Sequence, residues 1–220
     1  MASKRSYGDA CGIARALDVL GERWALMVVR ELLLGPKRFT DIRAGLPHLS
    51  ADMLAQRLRD LERAGVVTHR KLPPPFAAQV YELTEGGRAL EPVLVALGRW
   101  GGAYAPPPTD CMSMSRDAYV VSLRTLFDPA RAGDFAGRIE LRLGDDRVRV
   151  EIEDGGIAAE RGELPGADAV IDTAPETLLD VLHGRRTYAD AVGAGDLQVA
   201  GDRRIAKRFT GLFPLPALAP

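Results

Sequence analysis

A short helix, a tight turn and a longer helix are predicted in succession in the first third of the chain, and this order restricts the fold more than any other feature. Thr40 is the expected N-cap of the first helix, which Pro47 ends. Ser50 is the expected N-cap of the second helix over 51–64, and Gly65 is its C-terminal stop. The second helix places three leucines on one face, Leu54, Leu58 and Leu61. This succession predicts a helix-turn-helix.

Two strands are predicted directly after this pair of helices. Residues 66–71 and 79–83 have the alternating character of strands, and prolines stiffen the loop between them. A β-hairpin in this position forms the wing of a winged helix. We therefore expect a winged helix-turn-helix, preceded by two helices over 12–34 that are interrupted at Gly21.

The face of the second helix opposite its leucines is polar and suits the major groove of DNA. Arg and Gln side chains pair with guanine and adenine edges, and exposed Lys and Arg bind phosphates. The alternative is an ordinary solvated helix face, and the wing favours the DNA-binding interpretation. The candidate DNA contacts are Lys37, Arg38, Ser50, Asp52, Gln56, Arg57, Arg59, Arg63, Arg70, Lys71 and Gln79.

The last predicted helix of this region, capped by Thr84, has an apolar stripe that needs a partner. So much contiguous apolar area on a solvated helix promotes association. We therefore expect a long dimerisation helix that joins two copies of the chain as a homodimer. The predicted dimer seam consists of Leu90, Leu94, Leu97 and Trp100.

The chain divides at a Pro-rich stretch, and its two parts differ in charge. Residues 1–105 hold 15 Lys and Arg against 11 Asp and Glu, a net charge of +4, whereas residues 106–220 hold 14 against 19, a net charge of −5. The mildly basic part suits a polyanion and the acidic part does not. We predict a DNA-binding and dimerisation domain over 1–105, a linker over 106–114 and a second domain over 115–220.

The second domain combines helices with strands, so the fold class of the chain is α+β. Residues 139–152 predict a β-hairpin that turns at Gly144. A strand near 169–171 precedes a helix for which Thr173 and Glu176 form a capping box. The apolar faces of these elements either fill one another as a plain core or leave a ligand pocket. The candidate pocket residues are Phe127, Val150, Ile152, Leu178, Leu182, Phe209 and Phe213.

The sequence does not group residues in patterns typical of catalysis or metal binding. Cys11 and Cys111 form no CxxC pair, and the three histidines lie in unrelated segments. We therefore expect no metal, no cofactor and no enzymatic activity. Cys11 is either a redox-active thiol beside a helix N-terminus or an inert small residue. The sequence shows neither a signal peptide nor an apolar run of about 20 residues, which predicts a cytoplasmic protein without a membrane partner.

The region from residue 11 to about residue 102 resembles the HxlR family of winged-helix regulators. The resemblance implies a homodimer joined through terminal helices and bound to double-stranded DNA. One departure is Gly12, because the family commonly has proline after this cysteine. The matching blocks, in order, are Cys11, GERW at 21–24, GPKRF at 35–39, QRLRDLE at 56–62, YELTEG at 81–86 and Trp100 with Gly101.

The region from about residue 115 to residue 213 resembles the sterol carrier protein type 2 fold. The resemblance rests on DAVIDTAPETLLDVLHG at 168–184 and on the run 195–202. It implies an apolar tunnel for a hydrophobic small molecule, so the expected function is a ligand-responsive transcription regulator. The alternative is a protein that binds lipids or hydrophobic metabolites and uses the winged helix for dimerisation and protein contacts.

Overall fold

The structure, a computed structural model, describes residues 6–73, 78–105 and 114–214. The chain forms two compact units, Met1–Leu94 and Val95–Pro220, whose boundary precedes the Pro-rich stretch. Of the predicted linker, only its last residue is among those described, so the functional division of the chain stays a prediction. None of the helices in the described ranges is long and apolar enough to cross a membrane.

The N-terminal unit is built around one apolar core. Its elements are α1 (Gly12–Leu20), α2 (Ala25–Leu32), α3 (Phe39–Gly45), α4 (Ala51–Arg63), β1 (Val67–Lys71), β2 (Gln79–Leu83), α5 (Glu85–Arg88) and the start of α6 (Glu91–Tyr104). Side chains such as Val28, Ile42 and Leu58 fill the core. The three leucines of α4 predicted to share one face are all buried, which confirms the helical periodicity.

The turn between α3 and α4 forms as the sequence predicts. Ser50 is the N-cap of α4, and its hydroxyl accepts a hydrogen bond from the backbone N–H of Met53 at 3.3 Å. Leu46 and Leu49 are buried, and the Leu49 N–H donates to the Leu46 carbonyl at 2.9 Å. The turn is therefore fixed by apolar burial and by its own hydrogen bond.

The single last helix expected from Thr84 onwards is broken into two. Thr84 caps α5 by accepting a hydrogen bond from the N–H of Gly87 at 3.1 Å. Helix α5 then ends, and α6 begins at Glu91 with Pro92 in its first turn. Proline lacks the N–H that would continue α5, and it is tolerated at a helix start because that N–H has no partner there.

The wing is the antiparallel pair of β1 and β2, joined over five residue pairs. Residues 74–77 of its loop lie outside the described residues. Lys37, in the segment between α2 and α3, forms a bridge to β2, because its N–H donates to the Tyr81 carbonyl at 3.0 Å and its carbonyl accepts from the Tyr81 N–H at 2.8 Å. The wing is therefore anchored to the segment that leads into α3.

The second unit is α+β, as expected. Its elements after α6 are α7 (Arg116–Leu126), α8 (Pro129–Ala132), β3 (Gly137–Leu143), β4 (Asp146–Glu153), β5 (Gly156–Arg161), β6 (Ala169–Thr173), α9 (Pro175–Leu182), α10 (Tyr188–Gly193), β7 (Leu197–Gly201) and α11 (Arg203–Thr210). The sheet has the order β5-β4-β3-β6-β7. Strands β3 and β6 are parallel, and the other neighbours are antiparallel.

Two hairpins that share β4 provide three of the five strands of this sheet. The first, predicted at Gly144, is confirmed: Leu143 pairs with Asp146, and Gly144 has a φ of +65°. The second hairpin joins β4 to β5 through Asp154 and Gly155, at φ values of +50° and +70°. Strand β5 was not among the predicted strands, although Asp-Gly is one of the strongest sequence signals for a two-residue hairpin turn.

The N-caps predicted for two helices are wrong. Thr40 lies inside α3, whose N-cap is Arg38, and the Arg38 N–H donates to the Asp41 carboxylate at 3.2 Å. Thr173 belongs to β6, and its hydroxyl donates to a backbone carbonyl before β7 at 2.7 Å. The N-cap of α9 is Ala174, followed by proline in the first turn. Helix α3 therefore begins one residue before the predicted cap, whereas β6 extends through Thr173 and moves the N-cap of α9 to Ala174.

Candidate nucleic-acid interface

One face of α4 is turned to solvent and carries most of the predicted recognition residues. Asp52, Arg59 and Arg63 are exposed, and Gln56 is half-buried. Spacings of four, three and four residues place these side chains in one line along the helix, opposite the buried leucines. We call this line the outward face of α4. It is the face that a recognition helix presents to the major groove.

Asp60 organises the outward face, although it was not among the predicted DNA contacts. Its Oδ1 accepts hydrogen bonds from Gln56 Nε2 at 3.0 Å and from Arg63 Nη2. Arg59 Nη2 in turn donates to Gln56 Oε1 at 2.8 Å. The Gln56 amide is thus held between a donor and an acceptor. The spacings of three and four residues within one helix were the available signal.

Arg57 does not belong to the outward face. Its side chain is only 10% exposed, and guanidinium nitrogens lie 3.4 Å from the carboxylates of Glu22 and Asp60. Its Nε is buried without a hydrogen-bond partner among the described residues. The DNA contact expected of Arg57 therefore gives way to a structural role, in which it ties α4 to the segment between α1 and α2.

Lys37 is also buried rather than free to reach a phosphate. Its Nζ lies 2.6 Å from Oε2 of Glu31, a carboxylate on α2 that is fully buried. The other oxygen of Glu31 accepts from Arg30 Nη2 at 2.8 Å. The phosphate contact expected of Lys37 is not favoured by this environment, because its ammonium group already has an anionic partner inside the fold.

The wing carries two predicted cations that differ in how they are paired. Arg70 donates to both carboxylate oxygens of Glu82, at 2.7 and 3.0 Å. These hydrogen bonds lower the pKa of Glu82, so its carboxylate is ionised at neutral pH and offsets the charge of Arg70. Lys71 is exposed and lies opposite the exposed Gln79. Lys71 is therefore the stronger candidate for a phosphate contact.

The two remaining candidates lie at helix N-termini. Arg38 and Ser50 are both exposed, at the N-caps of α3 and α4. The backbone N–H groups and the positive end of the helix dipole make such positions favourable for a phosphate. The structure therefore brings the outward face, the start of α4 and the wing into one N-terminal unit.

The predicted dimer seam on α6 separates into two sets of side chains. Leu90 and Leu94 are partly buried against the core of the N-terminal unit, which leaves less of their surface for a seam. Leu97 and Trp100 are 47% and 58% exposed. Val93 and Tyr104 are also more than half exposed, and the Tyr104 ring stacks on that of Trp100. The exposed stripe of α6 is therefore Val93, Leu97, Trp100 and Tyr104.

The predicted ligand pocket is largely filled by its own side chains. All seven candidate residues are buried, and Phe213 contacts Phe127 and Phe209 at ring-centroid distances of 6.1 and 4.9 Å. Leu178 and Leu182 alone of these candidates line an apolar cavity of about 10 Å³ between α7, α9 and the first hairpin. That volume is roughly what one water molecule needs. Ligand binding here stays a prediction and requires the side chains to separate.

The candidate redox residue, Cys11, is the exposed N-cap of α1. Its backbone N–H donates to the Asp9 carboxylate at 2.8 Å. Cys111 lies outside the described residues. Among the residues that the structure describes, no group of three or more His, Cys, Asp or Glu side chains is arranged to hold a metal ion. A redox role for Cys11 stays a prediction.

A helix-turn-helix, a β-wing and an outward line of Arg and Gln on the second helix together define a DNA-binding transcription regulator of the winged-helix class. Residues 19–109 match the HxlR-like helix-turn-helix family, and residues 107–218 match the alkyl sulfatase C-terminal family. The chain therefore belongs to the HxlR-like helix-turn-helix family, with an alkyl sulfatase C-terminal domain in its second half. The resemblance of this second half to sterol carrier proteins stays a prediction.

Proteins that match the N-terminal half of this chain are named as transcriptional regulators. "Uncharacterized HTH-type transcriptional regulator YvaP" of Bacillus subtilis (strain 168) is 39% identical over 93 residues, which are 42% of this chain and 86% of that protein. HTH-type transcriptional regulator YodB of the same organism is 37% identical over 92 residues, 42% of this chain and 82% of YodB. The solved reduced form of YodB has a TM-score of 0.41 at 35% identity and covers 46% of this chain and 99% of that one.

Proposed function

We propose that this protein is a cytoplasmic regulator that binds a palindromic operator as a homodimer. Helix α4 of each protomer enters the major groove, and the β1–β2 wing contacts the sugar-phosphate backbone beside it. Two half-sites about one helical turn (~34 Å) apart match the two-fold symmetry of such a dimer. The observation that carries this proposal is the outward face of α4, placed on a helix-turn-helix that is followed by a wing.

Within this interface, Arg59 and Lys71 take different roles. Arg59 is exposed, and its contact with Gln56 limits the directions in which its guanidinium can point. A planar guanidinium held in this way suits the paired acceptors on a guanine edge. Lys71 is a mobile point charge at the end of β1, which suits a phosphate rather than a base.

Replacement of these two residues should affect DNA binding in distinguishable ways. On an operator obtained by in vitro selection, Arg59→Ala should cost about 1–3 kcal/mol of binding free energy and relax the base preference at one position of each half-site. Lys71→Ala should weaken binding to selected and random duplexes alike and reduce the salt slope by about one. Fluorescence anisotropy titrations over a range of salt concentrations measure both effects.

A suitable control is Arg15→Ala, which removes one exposed positive charge from α1, outside the recognition helix and the wing. It should leave the base preference unchanged and alter the affinity only slightly. If Arg59→Ala weakens selected and random DNA equally, Arg59 does not read bases. If neither Arg59→Ala nor Lys71→Ala weakens binding more than the control does, the proposed interface is wrong.

The homodimer in this proposal forms through the exposed stripe of α6. Val93, Leu97, Trp100 and Tyr104 recur at spacings of four, three and four residues, so they lie on one narrow face of the helix. Two such faces can pack against each other in an isologous interface, because the same surface meets itself across a two-fold axis. Leu94, which lies on the core side of the helix, instead supports the position of α6.

Leu97→Asp should convert dimers into folded monomers. Leu97 is already 47% exposed in the single chain, so the substitution leaves the core intact, but it would bury an unpaired charge in the dimer. Sedimentation velocity reports the change in mass, and circular dichroism checks that the fold is kept. Met53→Asp is the matched control, because Met53 is 43% exposed on α4 and lies off the stripe. A dimeric Leu97→Asp protein would show that the stripe is not the seam.

The second unit is proposed as a module that modifies the regulator's activity. Response to a hydrophobic small molecule is part of this proposal, and binding would occur where Leu178 and Leu182 line the small cavity beside α7. Sites for drug-sized ligands hold about 300 Å³ or more, so α9 would have to move away from the sheet. Such a ligand would raise the melting temperature of the protein by mass action.

A further inference from the structure

The last helix of the second unit, α11, concentrates positive charge on an otherwise acidic part of the chain. Residues 106–220 have 14 Lys and Arg against 19 Asp and Glu. Four of those 14 cations lie on α11, and all four are exposed: Arg203, Arg204, Lys207 and Arg208. Spacings of one, three and four residues along the helix put them on one side. We call this side the basic face of α11.

The cations of the basic face differ from other arginines of the unit in their pairing. Most of the exposed arginines elsewhere in the unit have carboxylate partners, for example Arg116 with Asp146 at 2.8 Å, whereas Arg99 donates to the backbone carbonyls of Thr125 and Phe127. In the described part of the unit, no carboxylate lies within 4.0 Å of the charged groups of Arg203, Lys207 or Arg208. Their charge is therefore not neutralised locally and is available to an external anion.

The other cation of the basic face, Arg204, is partly neutralised. The Asp202 carboxylate caps α11 and lies 3.4 Å from Arg204 Nη2. Arg208 has a structural task as well, because its Nη2 donates to the Arg131 carbonyl at 2.6 Å and so joins α11 to α8. Arg203 and Lys207, one turn apart, are thus the cations whose side chains are least engaged within the unit.

The buried side of α11 indicates what kind of anion the helix can bind. Ala206, Phe209 and Thr210 are buried in the core of the unit, with Phe209 at 0% exposure. A helix that binds a membrane surface has to insert its apolar face between lipids. Since that face of α11 is occupied by the protein's own core, only the charged face is available. A row of cations without an apolar component suits the phosphates of a nucleic acid.

We propose that the basic face of α11 is a second, sequence-independent DNA contact that binds phosphates outside the footprint of the winged helix. This inference rests on the proposed function, because the winged helix brings the chain to DNA. Eight helical residues span about 12 Å. With phosphates every 3.4 Å along the axis of each strand, that length matches about three of them. The helix therefore adds affinity without adding base preference.

The test uses the full chain and two duplexes of mixed sequence, one of about two helical turns (~20 base pairs) and one of about six (~60 base pairs). Arg203→Gln with Lys207→Gln removes two cations of the basic face. The control, Arg116→Gln with Arg149→Gln, removes the same charge from the same unit at arginines that are paired with Asp146 and Glu160. Circular dichroism confirms that both variants are folded.

The slope of log affinity against log salt concentration is negative, and on the long duplex the basic-face variant should reduce its magnitude by about 1.8 per engaged protomer, because each phosphate contact contributes about 0.9. The control variant should keep the wild-type slope. The double variant Arg203→Lys with Lys207→Arg keeps both positive charges, so it should also have the wild-type slope. On the short duplex the basic-face variant should bind like the wild type, since the DNA ends near the winged helix.

Two results would overturn the inference. An unchanged slope on the long duplex would mean that the basic face meets another partner, such as an acidic protein surface. An equal fall in slope for both double variants would mean that net charge, rather than this helix, attracts DNA. Failure of the proposed function looks different, because then the wild-type protein itself binds neither duplex and Lys71→Ala changes nothing.

Discussion

Glu31→Gln should lower the free energy of unfolding of the N-terminal unit by about 3–5 kcal/mol, because it removes one partner of a buried ion pair. The Glu31 carboxylate is fully buried and accepts from Lys37 Nζ at 2.6 Å and from Arg30 Nη2 at 2.8 Å. A glutamine has one acceptor oxygen, and its amide N–H groups would face a cation. The ammonium group of Lys37, whose side chain is 10% exposed, would lose the carboxylate 2.6 Å from it at a site where water cannot replace that charge.

Urea unfolding at fixed protein concentration measures this change. In a Trp100→Phe background, Trp24 is the remaining tryptophan, and its fluorescence follows the N-terminal unit. The control is Glu22→Gln, because Glu22 is 59% exposed, lies 3.4 Å from Arg57, and should cost at most about 1 kcal/mol. Glu31→Leu with Lys37→Met should recover much of the loss, since neither charge is then left buried alone. Equal stability of Glu31→Gln and Glu22→Gln would contradict the assigned role.

Local patterns predicted the helix-turn-helix because its signals lie within a few residues of one another. Ser50 needs only the N–H of Met53 to act as a cap, and the leucines of α4 need only helical periodicity. The β3–β4 hairpin is similarly local, with its turn at Gly144. Such elements form from neighbouring residues, and tertiary packing then selects among them.

The parts that the sequence did not predict depend on distant residues. Arg57 and Arg59 are two positions apart, yet Arg57 turns inwards because the segment between α1 and α2 brings Glu22 to 3.4 Å. Lys37 looks like a surface cation until α2 supplies Glu31. Whether the second unit has a pocket depends on how side-chain volumes fit, and a difference of one methylene group in packing is invisible in a hydrophobic pattern.

Asp60 and the basic face of α11 lie between these two cases, because local spacing indicates part of their arrangement and tertiary contacts decide the rest. Asp60 contacts Gln56 and Arg63 within its own helix, so spacing alone was sufficient to indicate it. The cations of α11 are adjacent in sequence as well. What the sequence could not show is that Arg203 and Lys207 lack carboxylate neighbours in the described fold while Arg116 has one. Local spacing predicts which side chains are close along a helix, but tertiary structure decides which of them remain available to a partner.

Gly87→Ala should destabilise the N-terminal unit by about 3 kcal/mol, near the upper end for overpacking a buried site. A Cβ at Gly87 would lie 2.1 Å from the Val66 carbonyl oxygen and 3.1 Å from Leu83 Cβ. The Val66 carbonyl cannot easily move away, because it accepts a hydrogen bond from the Thr84 N–H at 3.0 Å, and the neighbouring Gly65 carbonyl accepts from the Thr84 hydroxyl at 2.6 Å. The added methyl group would therefore separate α5 from the residue that precedes β1, at the base of the wing.

The adjacent glycine provides the matched control. A Cβ at Gly86 would have Thr84 Oγ1 as its nearest neighbour, at 3.7 Å, and neither glycine has a positive φ. Gly86→Ala should therefore raise the free energy of unfolding by about 0.5 kcal/mol, since alanine restricts the unfolded chain. Trp24 fluorescence during urea unfolding, again with Trp100→Phe, compares the two variants. If Gly87→Ala unfolds at the same urea concentration as Gly86→Ala, the close packing of α5 on the Val66 carbonyl does not limit this part of the fold. If it unfolds far earlier, the junction requires glycine, and the wing should then lose affinity for DNA together with stability.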